Sequence, residues 1–259
     1  MPDQITDHQW ETFLSCGYVR LGRVAAEGEL ETLRARIDDI MMGIAPVPYD
    51  RIMMQLDTTT GLYKDMDPQT KGHKGATLAY RKIQDLEYDR LFLAYMRKPL
   101  FQDICAKAYG KGTPVSCFRA MFMNKPASRG TVLPWHQDIF AHLDRDPVVT
   151  VWMAMDTATT QNGCVQVLPG SHTRLANENR NAFLTEEQAA ALADEIKPLS
   201  LECPAGEAIL LHNRLVHSSG VNHTNQPRRA FSVCYIDGYT VADNNAIFSG
   251  IFGEGALEL

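Results

Sequence analysis

No apolar run in this chain approaches the ~20 residues that a membrane-spanning helix needs. Its first residues, Met-Pro-Asp-Gln-Ile-Thr-Asp-His, carry neither the basic start nor the apolar stretch of a secretory signal, so a cytoplasmic address is expected. Cysteine pairs are missing too. Cys16, Cys105, Cys117, Cys164, Cys203 and Cys234 stand singly with no CxxC among them, which fits buried reduced thiols better than a disulfide framework or a zinc ribbon. Positive charge is also short, with 25 Lys and Arg against 31 Asp and Glu and a net charge of -6. That balance argues against general binding to nucleic acid or anionic membranes, leaving a small molecule as the expected partner. Internal repeats and low-complexity segments are absent as well.

What is present suits one large globular domain. The 259 residues are 45% hydrophobic and 22% charged, enough for a sizeable core. In the first hundred residues the periodicity is helical. Asp7 is a plausible N-cap for a short helix through Trp10, Phe13 and Leu14 that ends near Gly17, and Tyr18–Leu21 follows as a short β-like run. Leu30, Leu33, Ile37, Ile40 and Met41 recur at helical spacing, predicting an amphipathic helix over about Ala26 to Met42. Residues 44–77 are rich in turn formers and read as a long loop, of the kind that tends to be functional. Helical spacing returns from Leu91 to Tyr109, with Pro99 separating two helices.

From Val115 the texture changes to short strands punctuated by turns. Strands are expected at Val115–Asn124, Thr131–Gln137, Val148–Asp156, Cys164–Leu168, Leu199–Glu202, Glu207–His212 and Arg229–Ile236. One helical insert starts at the capping sequence Thr185-Glu186-Glu187-Gln188. The predicted architecture is mainly β: an N-terminal helical layer against one jelly roll.

The chemistry concentrates in Pro134-Trp135-His136-Gln137-Asp138. A histidine and a carboxylate at i and i+2 point to the same side of an extended strand, so His136 and Asp138 can grip one metal ion. A third ligand is needed. The segment Leu210–Gly220 offers His217, with His212 as its rival. Two histidines and one carboxylate with open positions form the facial triad of non-haem Fe(II) oxygenases, although the same set also binds zinc in hydrolases. Taken alone, His136 reads as an ordinary satisfied histidine and Asp138 as a solvated turn residue; the combination carries the signal. Arg228, eleven residues past His217, can be brought into the same barrel by a returning strand. An inward arginine needs an anion, since an unpaired buried charge is costly, and its fork suits a carboxylate. Hydrolysis has no use for a dicarboxylate, so the arginine favours the oxygenase.

Three stretches together resemble the phytanoyl-CoA dioxygenase-like family of Fe(II)- and 2-oxoglutarate-dependent oxygenases. These are Trp135–Asp138, Gly163–His172, and His217–Asn222 with Pro227-Arg228-Arg229. The resemblance spans roughly Tyr80 to Asp237. It implies a double-stranded β-helix (jelly roll, cupin-like) core over 113–240, with 1–112 as a mainly helical layer and active-site loop of one oxygenase domain, 1–259. It implies His136, Asp138 and His217 as iron ligands and catalytic residues, and Arg228 with Ser219 at the distal carboxylate of 2-oxoglutarate. Trp152, Gln137 and, more weakly, Lys82 are implied beside the cosubstrate. Halogenating relatives carry a small residue at the position of Asp138, so its carboxylate argues for hydroxylation. The implied reaction consumes O2 and 2-oxoglutarate, releases succinate and carbon dioxide, and hydroxylates a C–H bond.

For the substrate, His73, Lys74, Tyr80, Arg81, Lys82, Arg119 and Asn124 form a basic and hydrogen-bonding set in an otherwise acidic chain. Converging, they would suit a compact anion such as a phosphonate, phosphate or carboxylate. The family includes hydroxylases of small organophosphonates such as 2-aminoethylphosphonate, which becomes the candidate substrate. Tyr63, Tyr80, Tyr235 and Asp237 could then meet its amine. The alternatives are another small metabolite, an acyl-CoA or natural-product intermediate, or a metal-binding jelly roll without turnover.

Overall fold

The structure is a computed structural model that describes residues 2–176 and 182–259. Its helices are α1 (Asp7–Cys16), α2 (Glu27–Met42), α3 (Arg90–Met96), α4 (Pro99–Tyr109) and α5 (Glu186–Glu195). Its strands are β1 (Tyr18–Arg23), β2 (Met53–Leu56), β3 (Thr70–Lys71), β4 (Tyr80–Gln84), β5 (Val115–Lys125), β6 (Leu133–His136) and β7 (Val149–Ala154). They continue with β8 (Val165–Val167), β9 (Leu199–Leu201), β10 (Glu207–His212), β11 (His217–Ser219), β12 (Arg228–Asp237) and β13 (Ser249–Phe252).

These strands build two antiparallel sheets. The larger runs β1-β10-β7-β12-β5-β4-β2-β3, with β13 also on β5; the smaller runs β6-β11-β8-β9. Period-two alternation assigns each residue of the large sheet to a face. Val151 and Met153 of β7, Ala208 and Leu210 of β10, Phe231 and Val233 of β12, and Ala120 and Phe122 of β5 share one core with the buried faces of α1 to α4. Their neighbours Trp152, Ala154, Ile209, Leu211 and Ala230 face the other way, onto Val165, Val167 and Leu201 of the small sheet. One face of the sheet carries the helices, and the other forms the inner wall of the jelly roll.

Several local expectations shift. The cap of α1 is Thr6, not Asp7: its hydroxyl accepts from the Gln9 amide while Gln9 reaches back, and Gly17 closes the helix at φ 78°. Ala26 lies just outside α2, and Thr185 caps α5 through the expected box with Gln188. The region 44–77 is not all loop, because Met53–Leu56 pairs with β4 and with Thr70–Lys71. The helical layer therefore also donates strands: β1 lies along β10 and β4 along β5. Past residue 240, β13 adds to β5. Among the described residues, no helix is long and apolar enough to cross a membrane.

Candidate iron and 2-oxoglutarate site

Strand register brings the two histidines together. His136 ends β6 directly opposite His217 at the start of β11, and their ring centroids are 4.0 Å apart. His136 Nδ1 lies 2.9 Å from the Pro134 carbonyl and His217 Nδ1 lies 2.9 Å from the Leu215 carbonyl. A carbonyl oxygen only accepts, so each Nδ1 carries the proton and each Nε2 keeps a free lone pair, the tautomer a metal requires. Burial, with His217 beside it, pushes the His136 pKa down to about 3, leaving a neutral imidazole. Asp138 follows β6, its amide donating to the Asn213 carbonyl. Burial works to raise its pKa, but His217, His136, Arg119 and Lys82 outweigh that and hold it below the ordinary carboxylate value.

As they stand, these side chains are looser than a bound ion would leave them. Asp138 Oδ2 is 4.0 Å from His217 Nε2, while its Oδ1 is 3.8 Å from Arg119. Adjacent ligand atoms on an octahedral ion sit about 3 Å apart. Among the described residues no cluster of His, Cys, Asp and Glu is tight enough to enclose an ion as it stands. The Asp138 side chain is 30% exposed, so it is not locked in place by packing. Two free Nε2 lone pairs and an ionised carboxylate on one cavity wall fit a divalent ion with open positions.

The cosubstrate end shows the same fit through unmet demand. Alternation on β12 turns Arg228 inward with Ser232, and on β7 it turns Trp152 inward with Thr150. Arg228 is 4% exposed; one of its nitrogens donates to the Gly163 carbonyl at 3.1 Å, while its Nε has no partner among the described residues. Burial lowers its pKa to about 10, so it stays charged at neutral pH. Trp152 Nε1 and Asn124 Oδ1 are likewise buried without partners. Unsatisfied buried groups are rare in native proteins, and such a cluster around one cavity marks a place for a polar ligand. Gly163 is needed here. Its φ is 78°, and a Cβ would stand 2.6 Å from the Gly220 carbonyl and 2.8 Å from Lys125 Cδ.

The cavity that collects these groups measures ≈ 380 Å³. His136, Asp138, His217, Arg228, Ser219, Trp152 and Lys82 line it, as do Arg81, Arg119 and Asn124. Four other sequence candidates do not. Gln137 is 0% exposed and its side chain is used up on backbone: its amide donates to the Arg174 and Arg214 carbonyls, and its oxygen accepts from the Ala176 amide. It sits one residue out of phase with His136 and Asp138. The Tyr80 hydroxyl accepts from the Lys74 amide and donates to the Gly75 carbonyl. His73 Nε2 meets the Met41 carbonyl, and Lys74 Nζ meets the Lys71 carbonyl. His73 fastens the 71–80 segment to α2, while the Tyr80 and Lys74 bonds tie that segment to itself. Of the groups considered for an amine, Tyr63 lines the cavity, whereas Tyr235 bonds the Met96 carbonyl in the core and Asp237 pairs with Arg145. His212 also borders the cavity, but its ring lies against Phe13 and His172.

Sequence reasoning missed Lys125 and Phe183. Phe183 stacks on His136 at 5.3 Å and meets Tyr63 at 5.0 Å; it falls between predicted elements, so no periodicity marked it. Lys125 ends β5, in phase with Arg119, Met121 and Met123, all of which line the cavity. That alternation was readable once β5 was extended by one residue.

Residues 13–230 match the family described as phytanoyl-CoA dioxygenase (PhyH). The chain is 27% identical over 233 residues to a probable phytanoyl-CoA dioxygenase of Caenorhabditis elegans, covering 85% of this chain and 71% of that one. It is 26% identical over 238 residues to a methylphosphonate hydroxylase of Gimesia maris, covering 91% and 82%. The crystal structure of EctD from S. alaskensis with 2-oxoglutarate and 5-hydroxyectoine has the same fold, with a TM-score of 0.71 at 19% identity over 100% of this chain and 84% of that one. The chain belongs to the phytanoyl-CoA dioxygenase (PhyH) family, and as a member of it is an oxygenase that works with Fe(II), 2-oxoglutarate and O2.

Proposed function

We propose that this oxygenase hydroxylates a C–H bond of a small anionic metabolite, with an organophosphonate such as 2-aminoethylphosphonate as the candidate substrate. One observation carries the reading. In a chain of net charge -6, five basic side chains face one cavity (Arg81, Lys82, Arg119, Lys125 and Arg228), against the single carboxylate of Asp138 among the described lining residues. A dianionic cosubstrate satisfies only part of this basic lining, and burial disfavours the charged forms of Lys82 and Lys125 unless an anion lies beside them. The cavity is also near the lower end of the ~300–1,000 Å³ typical of ligand pockets. That volume favours a small metabolite over a long acyl chain. The methylphosphonate hydroxylase relative points the same way.

The residues divide the work by position. His136, Asp138 and His217 would hold the iron from one side. Arg228, Ser219 and Trp152 would hold the far carboxylate of 2-oxoglutarate, Arg228 with its unpartnered Nε. When bound, iron and 2-oxoglutarate supply the oxidising power, with succinate and carbon dioxide as by-products. On the other side of Asp138, Arg119 and Lys82 are placed to take the substrate anion. Burial, then Arg119 and Arg81, lowers the Lys82 pKa to about 7, the state of a lysine awaiting a negative partner. Arg119 lies over Phe140 at 4.5 Å and Phe118 at 5.0 Å, which fixes its guanidinium near Asp138. Phe183 and Tyr63 cover the His136 side and shield the reacting position from water.

The test is a turnover screen with Fe(II), 2-oxoglutarate and O2 over small phosphonates, uncharged analogues of the same size, amino acids and acyl-CoAs. Succinate formation coupled to hydroxylated phosphonate supports the reading. Turnover confined to uncharged or acyl-CoA substrates rejects it.

A further inference from the structure

Lys125 has no role among the site residues assigned so far, yet its setting is unusual. It is 5% exposed, and its Nζ donates to a neutral acceptor, the Thr131 carbonyl, at 2.8 Å. It stands directly opposite Arg228 in the β5–β12 ladder. Like charges opposite each other across a strand pair destabilise a sheet even at the surface, and here both side chains are buried. Arg81 adds a third positive charge from β4, and Asp57 on the loop after β2 is the acidic group that offsets them. Asp57 Oδ1 accepts from the Thr131 hydroxyl at 2.5 Å, and among the described residues no ion pair joins this carboxylate to Lys125 or Arg228. The Arg228 side chain reaches the Gly163 carbonyl, the same glycine whose missing Cβ leaves room for the Lys125 chain. Both side chains line the cavity, and among the described residues neither has a carboxylate partner in contact.

We propose that Lys125 and Arg228 form a two-cation clamp for the distal carboxylate of 2-oxoglutarate, with Lys125 as the second positioning residue. The clamp rests on the reading of Arg228 as the partner of that carboxylate. A carboxylate between the two strands favours the charged form of Lys125 and gives both side chains a charge-assisted contact, supplying Arg228 Nε with an acceptor. Burial, then Arg228 and Arg81, lowers the Lys125 pKa to about 6. Anion binding reverses that balance, so at a pH of about 8 the clamp takes up a proton as it closes.

The experiment is anaerobic calorimetric titration of the Fe(II)-loaded protein with 2-oxoglutarate and with 2-oxopentanoate, which lacks the distal carboxylate. Wild type, Lys125→Met, Lys125→Arg and Arg228→Met are compared. Lys125→Met is expected to weaken 2-oxoglutarate about tenfold or more while moving 2-oxopentanoate less than about twofold. Lys125→Arg should restore most of the 2-oxoglutarate affinity. In paired buffers of different ionisation heat, proton uptake on binding 2-oxoglutarate should be smaller in Lys125→Met than in wild type. Equal weakening of both ligands means that Lys125 only ties down the Thr131 loop, which overturns the proposal. Unchanged 2-oxoglutarate affinity in Lys125→Met, with a large loss in Arg228→Met, overturns the clamp and leaves the Arg228 reading standing. No loss in Arg228→Met overturns both.

Discussion

Replacing Arg119 with methionine separates the substrate end of the cavity from the cosubstrate end. Methionine keeps an unbranched side chain beside Phe118 and Phe140 but removes the guanidinium that lies over them, with its charge and its hydrogen-bond donors. Two unit charges about 4 Å apart at an effective dielectric constant near 20 interact by about 4 kcal/mol. Arg119 is 29% exposed, so solvent weakens the contact, and a charged hydrogen bond in such a place is worth about 1.5–3 kcal/mol. The expected loss is therefore about 10- to 100-fold in kcat/KM for an anionic substrate. The KM for 2-oxoglutarate should stay within about twofold, because Arg119 and the Arg228 end occupy opposite ends of the cavity face of β5. Iron retention should hold or improve, since Arg119 sits 3.8 Å from Asp138 and competes for its carboxylate. The assay is initial-rate succinate formation with 2-aminoethylphosphonate, each component varied in turn, together with iron content by atomic absorption. An unchanged kcat/KM for the phosphonate, or a loss that falls on iron instead, would refute the assignment of Arg119 to the substrate.

Three further outcomes follow from the same structure. Glu87 is buried with Oε2 unpartnered, and burial pushes its pKa up to about 7. Its folded form holds a proton that the unfolded chain has released, so the stability present below pH about 4.5 is lost as pH rises through about 7, by about 3 kcal/mol. Glu87→Gln should melt near the wild-type temperature at low pH and above it at pH about 8; parallel melting curves would contradict this. Gly163→Ala should cost about 1–3 kcal/mol in urea unfolding and weaken 2-oxoglutarate, because it strains a φ of 78° and crowds the Gly220 carbonyl. Phe231→Ala, between Phe92 and Tyr95 in the helix-side core, should lose about 3–5 kcal/mol of stability, read by denaturant midpoint.

The strands of the inner wall were legible because alternation there is strict. Arg228 with Ser232 and Thr150 with Trp152 fall on the cavity side by counting in twos, and the HxD spacing put two candidate ligands on one side of a strand before any fold was known. Counting also explains the error at Gln137, which lies between His136 and Asp138 and must point away from both. The residues His73, Lys74 and Tyr80 were misplaced for a different reason. Their polarity signalled a site, but local backbone carbonyls and amides absorb it, a contact that sequence cannot display. Strands β2 and β3 hid inside a turn-rich stretch because so short a pair is made by its neighbour β4 and not by its own pattern. Lys125 was passed over because the predicted strand stopped one residue short of it, at Asn124. Its partner across the ladder, Arg228, is a hundred residues away in sequence.

The central claim is that His136, Asp138 and His217, and not His212, hold the iron that couples 2-oxoglutarate to hydroxylation. The direct measurement is Fe(II)-dependent succinate formation with iron stoichiometry for wild type, His217→Ala and His212→Ala. His217→Ala should bind little iron and form no succinate above background. His212→Ala should keep both, since its ring rests against Phe13 and His172. Iron and turnover retained in His217→Ala and lost in His212→Ala would contradict the account.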